Sequence, residues 1–349
     1  MAPGFHRNRA PLAAALCAAP WLLSGTAGPR VVSPPSSVTQ APARADACVS
    51  CHREAVASWR ASLHARSWSD PIFLAAYREE PMAFCRSCHA PLGDPAREPD
   101  RAARDEGVSC VACHARASAH LAARGRVPAT DATRDGDAGC ARCHQFNFPV
   151  DRGPGRPLWH TDRPMQDTVG EWRRSDAHDR GVGCVDCHLR ADDHAMRVIE
   201  RPEVLAGAVD LRVRSCREGE GWRVEATVRA TGVGHAVPTG DLHRQLRLVV
   251  GDGRVEATRV FTRRFEDLPR RDDRGEVHLA RSERYDGRVA PPGPEAVDTV
   301  TLRVRARARP RWRLEHWRTT PEIAARQRLP LSLVRTLLSE GTSLPCDSP

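Results

Sequence analysis

The sequence contains no lysine: its 53 basic residues are all arginine. Aromatic residues make up 5% of the 349 positions, with only two tyrosines, and hydrophobic residues reach 40%. That is a modest apolar supply for the burial a chain of this length needs. No apolar run is long and continuous enough to span a membrane as a mature helix; Pro11 to Leu23 is too short and too interrupted. Neither a hydrolase-type nucleophile constellation nor a phosphate-binding glycine loop occurs. The formal charge is +9, yet no basic run is interleaved with aromatics, which argues against a nucleic-acid partner. The missing lysine fits a GC-rich genome better than it fits a function.

What the sequence does have is Cys-x-x-Cys-His, five times between Cys48 and His188. The copies are Cys48/Cys51/His52, Cys85/Cys88/His89, Cys110/Cys113/His114, Cys140/Cys143/His144 and Cys184/Cys187/His188. Each is the attachment signature of a c-type haem. The two thiols add across the vinyl groups, and the adjacent His turns under the ring to bind iron. A lone C-x-x-C reads equally well as a zinc half-site or a redox dithiol, but neither use requires His after every second Cys. Five covalent haem c groups are therefore expected. They also answer the shortage of apolar residues, since each porphyrin offers a large surface to pack against. Haem propionates are anionic, and arginine's planar fork matches them, so the arginine excess reads as propionate compensation plus codon bias.

Read in order, residues 1–27 have the form of a secretory signal, with an early positive charge, an apolar stretch and small residues at Gly25-Thr26-Ala27. The competing reading is an uncleaved anchor; Leu16 before Cys17 fits lipid processing poorly. Export agrees with haem attachment outside the cytoplasm and places the protein in the periplasm. Residues 28–45 are Pro-, Ser- and Ala-rich and read as a flexible leader. Residues 46–204 form the haem segment, whose first cysteines are spaced by 37, 25, 30 and 44 residues, room only for short helices and loops. Helices are predicted over Glu54 to Leu63 and Asp70 to Tyr77. Motifs three and five look like copies of one unit, Glu106-Gly107-Val108-Ser109-Cys110 against Arg180-Gly181-Val182-Gly183-Cys184, each with a second His six residues past the first. From about Leu205 the pattern alternates. Val209–Val213 and Trp222–Val228 read as a hairpin, with further strands over Leu246–Val250, Val255–Phe265 and Val297–Val304. An antiparallel β-sandwich over residues 205–310 fits. Residues 311–349 read as a short helical tail. The fold class is thus α+β and multidomain.

The second axial ligand of each iron decides what it can do. His64 lies five residues after Trp59, and His178 six after Trp172, in similar surroundings. Both are candidate distal ligands, as are the repeat pair His120 and His194. His160 sits in a Pro/Gly-rich loop, and Met82, Met165 and Met196 could either ligate or fill gaps. His235, in Thr231-Gly232-Val233-Gly234-His235-Ala236-Val237-Pro238-Thr239-Gly240-Asp241, is either an exposed turn residue or a ligand carried by a rigid loop onto the haem segment. His243, His278 and His316 have no supporting context. Cys216 and Cys346 remain outside the motifs and could pair.

These residues resemble a known family. Ala47-Cys48 through Leu63-His64-Ala65 is similar to the start of multihaem cytochromes related to the tetrahaem electron acceptors of hydroxylamine oxidoreductase. Cys140 to Pro149, Met165 to Thr168 with Glu171-Trp172, and Gly234-His235 to Asp241 are similar to larger members with a C-terminal β domain. The resemblance implies closely stacked, mostly bis-His haems passing electrons. Five motifs and an added sandwich depart from the tetrahaem members, so ligand pairings do not carry over. The expectation is a periplasmic electron carrier rather than a catalyst, serving redox partner proteins such as quinol-oxidising or other cytochrome systems; membrane association is compatible but not required. The alternatives are an oxidoreductase with one open iron acting on a small nitrogen or sulfur oxo-compound, and an adaptor docking through the sandwich.

Overall fold

The computed structural model describes residues 44–114, 136–148, 163–189, 193–196, 200–271, 275–293 and 297–346. The expected signal and nearly all of the leader, and with them Cys17, His120 and His160, lie outside the described residues. The architecture is mixed: a helical region comes first and antiparallel sheets follow. Among the described residues no helix is long and apolar enough to cross a membrane.

In the helical region, short helices alternate with turns. They are α1 (Ala45–Cys48), α2 (Arg53–Arg60), α3 (Pro71–Glu79), α4 (Ala83–His89), α5 (Arg101–Glu106), α6 (Cys110–His114) and α7 (Gly136–His144). After the strand pair β1 (Gln145–Phe146) and β2 (Gln166–Asp167) come α8 (Thr168–Arg173), α9 (Asp176–Asp179), α10 (Cys184–His188) and α11 (Pro202–Gly207). Asp70 starts α3 by accepting the amides of Ile72 and Phe73 at 3.0 and 3.3 Å, while Pro71 takes the first helical position. Four of the five motifs end a helix on their His. The first differs slightly: α1 stops at Cys48, and the His52 amide still reaches the Cys48 carbonyl at 2.8 Å. One helical turn puts positions i, i+3 and i+4 on one face, so each copy presents both sulfurs and the ring together. The buried apolar groups here are few and scattered, such as Ala45, Val56 and Trp59, or Trp68, Tyr77 and Ala90.

The β region is built on two four-stranded sheets. One has the order β11–β10–β5–β6, from Arg335–Thr342, Arg311–Trp317, Gln245–Gly251 and Glu256–Phe261. The other has the order β12–β3–β4–β9, from Leu344–Pro345, Val209–Glu218, Gly221–Ala230 and Asp298–Val304. Val224, Val228, Leu246, Leu248, Val250, Phe261 and Leu314 from both sheets share one core. Alternation along β4 is clean, with Val224, Ala226, Val228 and Ala230 buried. The hairpin expected around Glu218–Gly221 is present as β3 and β4. A separate two-stranded hairpin, β7 (Arg263–Arg271) and β8 (Val277–Asp286), breaks the strand expected over Val255–Phe265 at Thr262.

One expectation needs correction. Residues 311–349 are not a helical tail: Arg311–Trp317 and Arg335–Thr342 are strands, and only Pro321–Arg326 and Leu331–Val334 are helical. Strand β10 pairs β5 on one side and β11 on the other, so Leu314 completes the core opposite Leu248. Short apolar runs do not reveal their period without the neighbours they pair with. A disulfide between Cys216 and Cys346, with Cα atoms 5.3 Å apart, ties the end of this segment to β3 and closes a loop of 130 residues.

The β region grips the helical region with arginine. Arg318 pairs with Asp70 at 2.7 Å, Arg288 with Glu171 at 2.6 Å, and Arg263 donates to the carbonyls of Pro164 and Met165 at 2.9 and 3.0 Å. Some of the arginine excess is therefore used within the protein rather than on propionates.

Candidate functional site

Three motif histidines each face a second histidine from a remote part of the chain. The ring centres of His144 and His64 are 6.2 Å apart; those of His114 and His194, and of His188 and His235, are 6.3 Å apart. Two imidazoles bound to one metal through bonds of about 2 Å, with roughly 1 Å from the nitrogen to each ring centre, would have centres about 6 Å apart. Hydrogen-bonded or stacked rings come closer, so the constancy across three pairs calls for a common spacer. Among the described residues no group of three His, Cys, Asp or Glu side chains could hold a metal ion. Zinc in a protein site takes three or four such ligands. Two facing imidazoles with thiols beside them fit instead a metal whose other ligands come from a planar macrocycle. Haem is such a group, and these side chains would hold it.

The rings are set for ligation. Burial, and then the facing His64, push the His144 pKa down to about 3; burial, and then His235, push His188 down to about 4. His64, His89, His114 and His235 are lowered as well, burial first in each. Neutral imidazole is the form that binds iron. Several Nδ1 atoms are also engaged, leaving Nε2 as the ligand atom. His89 Nδ1 lies 2.7 Å from the Ser67 carbonyl, His235 Nδ1 3.0 Å from the Ala236 carbonyl, and His144 Nδ1 3.0 Å from the Gln166 carboxamide. The Gln166 atom nearest His144 Nδ1 is Nε2, so a metal-bound His144, which carries its proton on Nδ1, requires that carboxamide to be turned to present its oxygen. The His89 ring also stacks on Phe73, with centres 3.6 Å apart.

His64 is delivered by the turn after α2. Its carbonyl accepts the Val108 amide at 2.9 Å, and a Cβ on Gly107, whose φ is +52°, would come within 2.6 Å of that carbonyl oxygen. Glycine at 107 lets the two segments meet. His235 arrives from the β region on the loop between β4 and β5. Glu171, only 3% exposed, accepts the Ala236 amide at 3.2 Å and the Thr239 hydroxyl at 2.8 Å, and so fixes the loop on both sides of the Val237-Pro238 cis bond. A Cβ on Gly234 would sit 3.0 Å from both Ala177 and Trp172.

The motifs adjoin one another in a branched order. The free thiols of Cys48 and Cys110 are within hydrogen-bonding reach of each other and share an apolar cluster, joining motifs one and three. The Cys113 thiol lies near Cys143, joining three and four, while the free thiols of Cys88 and Cys143 are within hydrogen-bonding reach, joining two and four. His144 and His188 interact, joining four and five. Motif four is the junction.

Other candidates are placed differently. His178 meets no motif His: its ring packs edge-on against Trp172 at 4.7 Å, its Nδ1 is 3.5 Å from Asp179, and its side chain is 44% exposed. His243 is exposed. His316 is buried on β10 beside Leu246, with Nδ1 unpartnered; burial, then Arg244 and Arg318, lower its pKa to about 3. The roles of Glu171, Gln166 and Thr239 were not evident from sequence. Two signals pointed toward them: Glu171-Trp172 and the Gly234–Asp241 loop stand out as separate motifs, and the structure brings them together.

Comparison with known proteins finds no matching family and no matching curated protein. The fold is similar to the crystal structure of a penta-heme cytochrome c552 from Thermochromatium tepidum, with a TM-score of 0.60 and 20% identity, covering 86% of this chain and 98% of that one. The likeness establishes the fold.

Proposed function

We propose that the chain is a multihaem c-type cytochrome that carries electrons outside the cytoplasm. It would hold haem through Cys48, Cys51, Cys85, Cys88, Cys110, Cys113, Cys140, Cys143, Cys184 and Cys187, with His52, His89, His114, His144 and His188 as proximal ligands. His64, His194 and His235 would be the distal ligands of motifs four, three and five. Bound haem iron supplies one-electron chemistry, and a second imidazole on each iron keeps it a carrier by closing the position a substrate would take.

The observation that carries this reading is the set of three imidazole pairs at 6.2–6.3 Å, each joining a motif His to a residue 70 or more positions away, or, for His235, to another sheet-bearing region. The protein's own part is to present neutral rings, fix their Nδ1 atoms and keep water from the ligand bonds. The shared fold with a penta-heme cytochrome supports the same reading. With motif four adjoining three others, electrons entering at any end would converge there. A second redox protein is the partner such a carrier needs.

The test is haem stoichiometry with low-temperature EPR on the ferric protein. Five covalent haems per chain, with at least three low-spin bis-His signals, are expected. A metal-free or zinc-bound protein would overturn the proposal. A large high-spin fraction that binds nitrite or hydroxylamine would replace the carrier with an enzyme.

A further inference from the structure

Three arginines where the β region meets the helical region are matched by carboxylates: Arg263 by Glu283 at 2.7 Å, Arg288 by Glu171 at 2.6 Å and Arg318 by Asp70 at 2.7 Å. Arg244 has no such partner among the described residues. Its side chain makes one hydrogen bond there, from Nη1 to the Thr239 carbonyl at 3.0 Å, which leaves most of a five-donor fork unused. A charge withdrawn from water needs a counter-charge. The position of Arg244 sharpens that need. Leu246, Leu248 and Val250 of β5 and Leu314 of β10 fill the sandwich core, and alternate residues of a strand share a face. Just past the last pair of these strands, Trp317 with Gln245, that face brings Arg244 and Arg318 opposite each other, with His316 beside them. Like charges so placed repel. Burial lowers the Arg244 pKa; Asp241 and Asp70 oppose this, and Arg318 lowers it further. Asp70 is already taken by Arg318, while Asp241 is exposed and accepts the His243 amide at 2.8 Å. Arg244 is half-buried, and since burial leads the causes of its shift, the side that no residue covers faces into the protein. The rings it acts on there are His144 and His235, of motifs four and five. Gly240, with φ +97°, lets the guanidinium lie against the His235 loop, since a Cβ there would come within 2.6 Å of Nη1.

We propose that Arg244 is the anchor for a haem propionate, carried either by the haem that His144 and His64 would hold or by its neighbour on His188 and His235. This rests on the haem-ligand reading above. A propionate is a carboxylate on a short flexible arm, and the planar guanidinium fork matches a carboxylate through two parallel hydrogen bonds. It would supply the counter-charge that Asp70 and Asp241 leave unmet. The edge of that haem would then be fixed by the β region, on the same short segment that delivers His235. Arg244 also acts on the redox balance. Reduction adds negative charge to a haem, and a neighbouring cation favours that form.

The test joins a crystal structure of the holoprotein to resonance Raman and spectroelectrochemical titration of variants. A propionate oxygen is expected about 2.8 Å from the Arg244 guanidinium, and the haem that carries it identifies the source. In Arg244→Gln a propionate band is expected to shift and one reduction step to move to lower potential. If that step also moves in His64→Ala, the propionate belongs to motif four; otherwise it belongs to motif five. Arg244→Lys keeps the charge without the fork, so it should restore most of the potential while the propionate band stays shifted. A step that moves in Arg244→Gln with every propionate band unchanged would show a charge acting at a distance, and would overturn the anchor. If Arg244→Gln failed to retain haem, a holoprotein structure with Arg244 on Asp241 or on water alone would overturn it. Absence of covalent haem from the unaltered protein would instead bring down the cytochrome reading beneath it.

Discussion

Trp59 and Trp172 sit in two versions of one structural unit, and the versions differ in a single consequential position. In the first, the Trp59 indole donates to the Val108 carbonyl at 2.8 Å, two residues before Cys110; in the second, Trp172 donates to Val182 at 2.8 Å, two residues before Cys184. Buried Ser62 and Ser175 each give their amide to the Trp three positions back, at 2.8 and 3.0 Å. Gly107 and Gly181 both have positive φ. The amides of Val108 and Val182 then reach the residue five past each Trp, at 2.9 Å in both. That residue is His64 in the first unit and Ala177 in the second. His64 turns to the motif that follows its unit, the fourth. No motif follows the fifth, and the small Ala177 leaves the space into which Gly234 brings His235. The second unit thus lacks a facing ring of its own and admits one, His235, from the β region.

The sharpest way to break the comparison is at the ligands. His64→Ala removes the ring facing His144, so one of the low-spin signals is expected to convert to high-spin. His178→Ala should leave the EPR spectrum unchanged, because that ring lies half-exposed against Trp172. Ala177→His restores the first unit's residue in the second and would put a ring where Gly234 approaches. It is expected to displace His235 and disturb the motif-five signal. A His178→Ala protein that loses a low-spin haem would show that the two units are in register at His178 after all.

Smaller differences follow from burial and strain. Trp59 is buried and Trp172 only half-buried. Trp59→Ala should cost about 3–5 kcal/mol and Trp172→Ala clearly less, as read by denaturant unfolding of the holoprotein. Equal losses would mean that the shared indole–carbonyl contact dominates over packing. At the glycines the contrast is sharper. A Cβ on Gly181 meets nothing within 4 Å, so Gly181→Ala bears only the positive-φ penalty, about 1 kcal/mol. Gly107→Ala bears the same strain and also drives against the His64 and Ala65 carbonyls, so it should destabilise more and shift the spectrum of the motif-four haem.

How far the sequence could be read varies with the range of the interaction. The motifs are local: one helical turn brings two sulfurs and a ring to one face, so that juxtaposition is legible from spacing. The repeat of motifs three and five is legible for the same reason, and the structure extends it to the tryptophans upstream. His178 misleads because Trp-x-x-Ser is followed by His in both places, one residue apart, and a shift of one position on a turn reverses where a ring points. His235 shows only as a Gly- and Pro-rich loop; that it reaches His188 depends on Glu171, more than 60 positions earlier. The strand Arg311–Trp317 carries no alternating pattern to read, because Leu314, Glu315, His316 and Trp317 are all buried, with Leu314 and Trp317 in different clusters. The Cys216–Cys346 bond likewise becomes evident only when β12 lies along β3.

Acid should separate the two sites by a smaller margin. The unfolded chain binds a proton on each of these rings below about pH 6.5, whereas burial holds folded His188 neutral to about 4 and His144 to about 3. Between those limits the unfolded state carries more protons, so stability falls as pH drops from about 6.5, and it is intact above that value. His188 stops contributing to the slope near pH 4, and His144 continues to near pH 3. Protons also compete with iron for the same lone pairs, which acts in the same direction. On slow acidification the His188–His235 pair is therefore expected to yield its low-spin signal before the His144–His64 pair. Assignment of the two signals by the His64→Ala spectrum makes the order measurable, and a reversed order would show that the loop from the β region shields its ligand better than the helical unit shields its own.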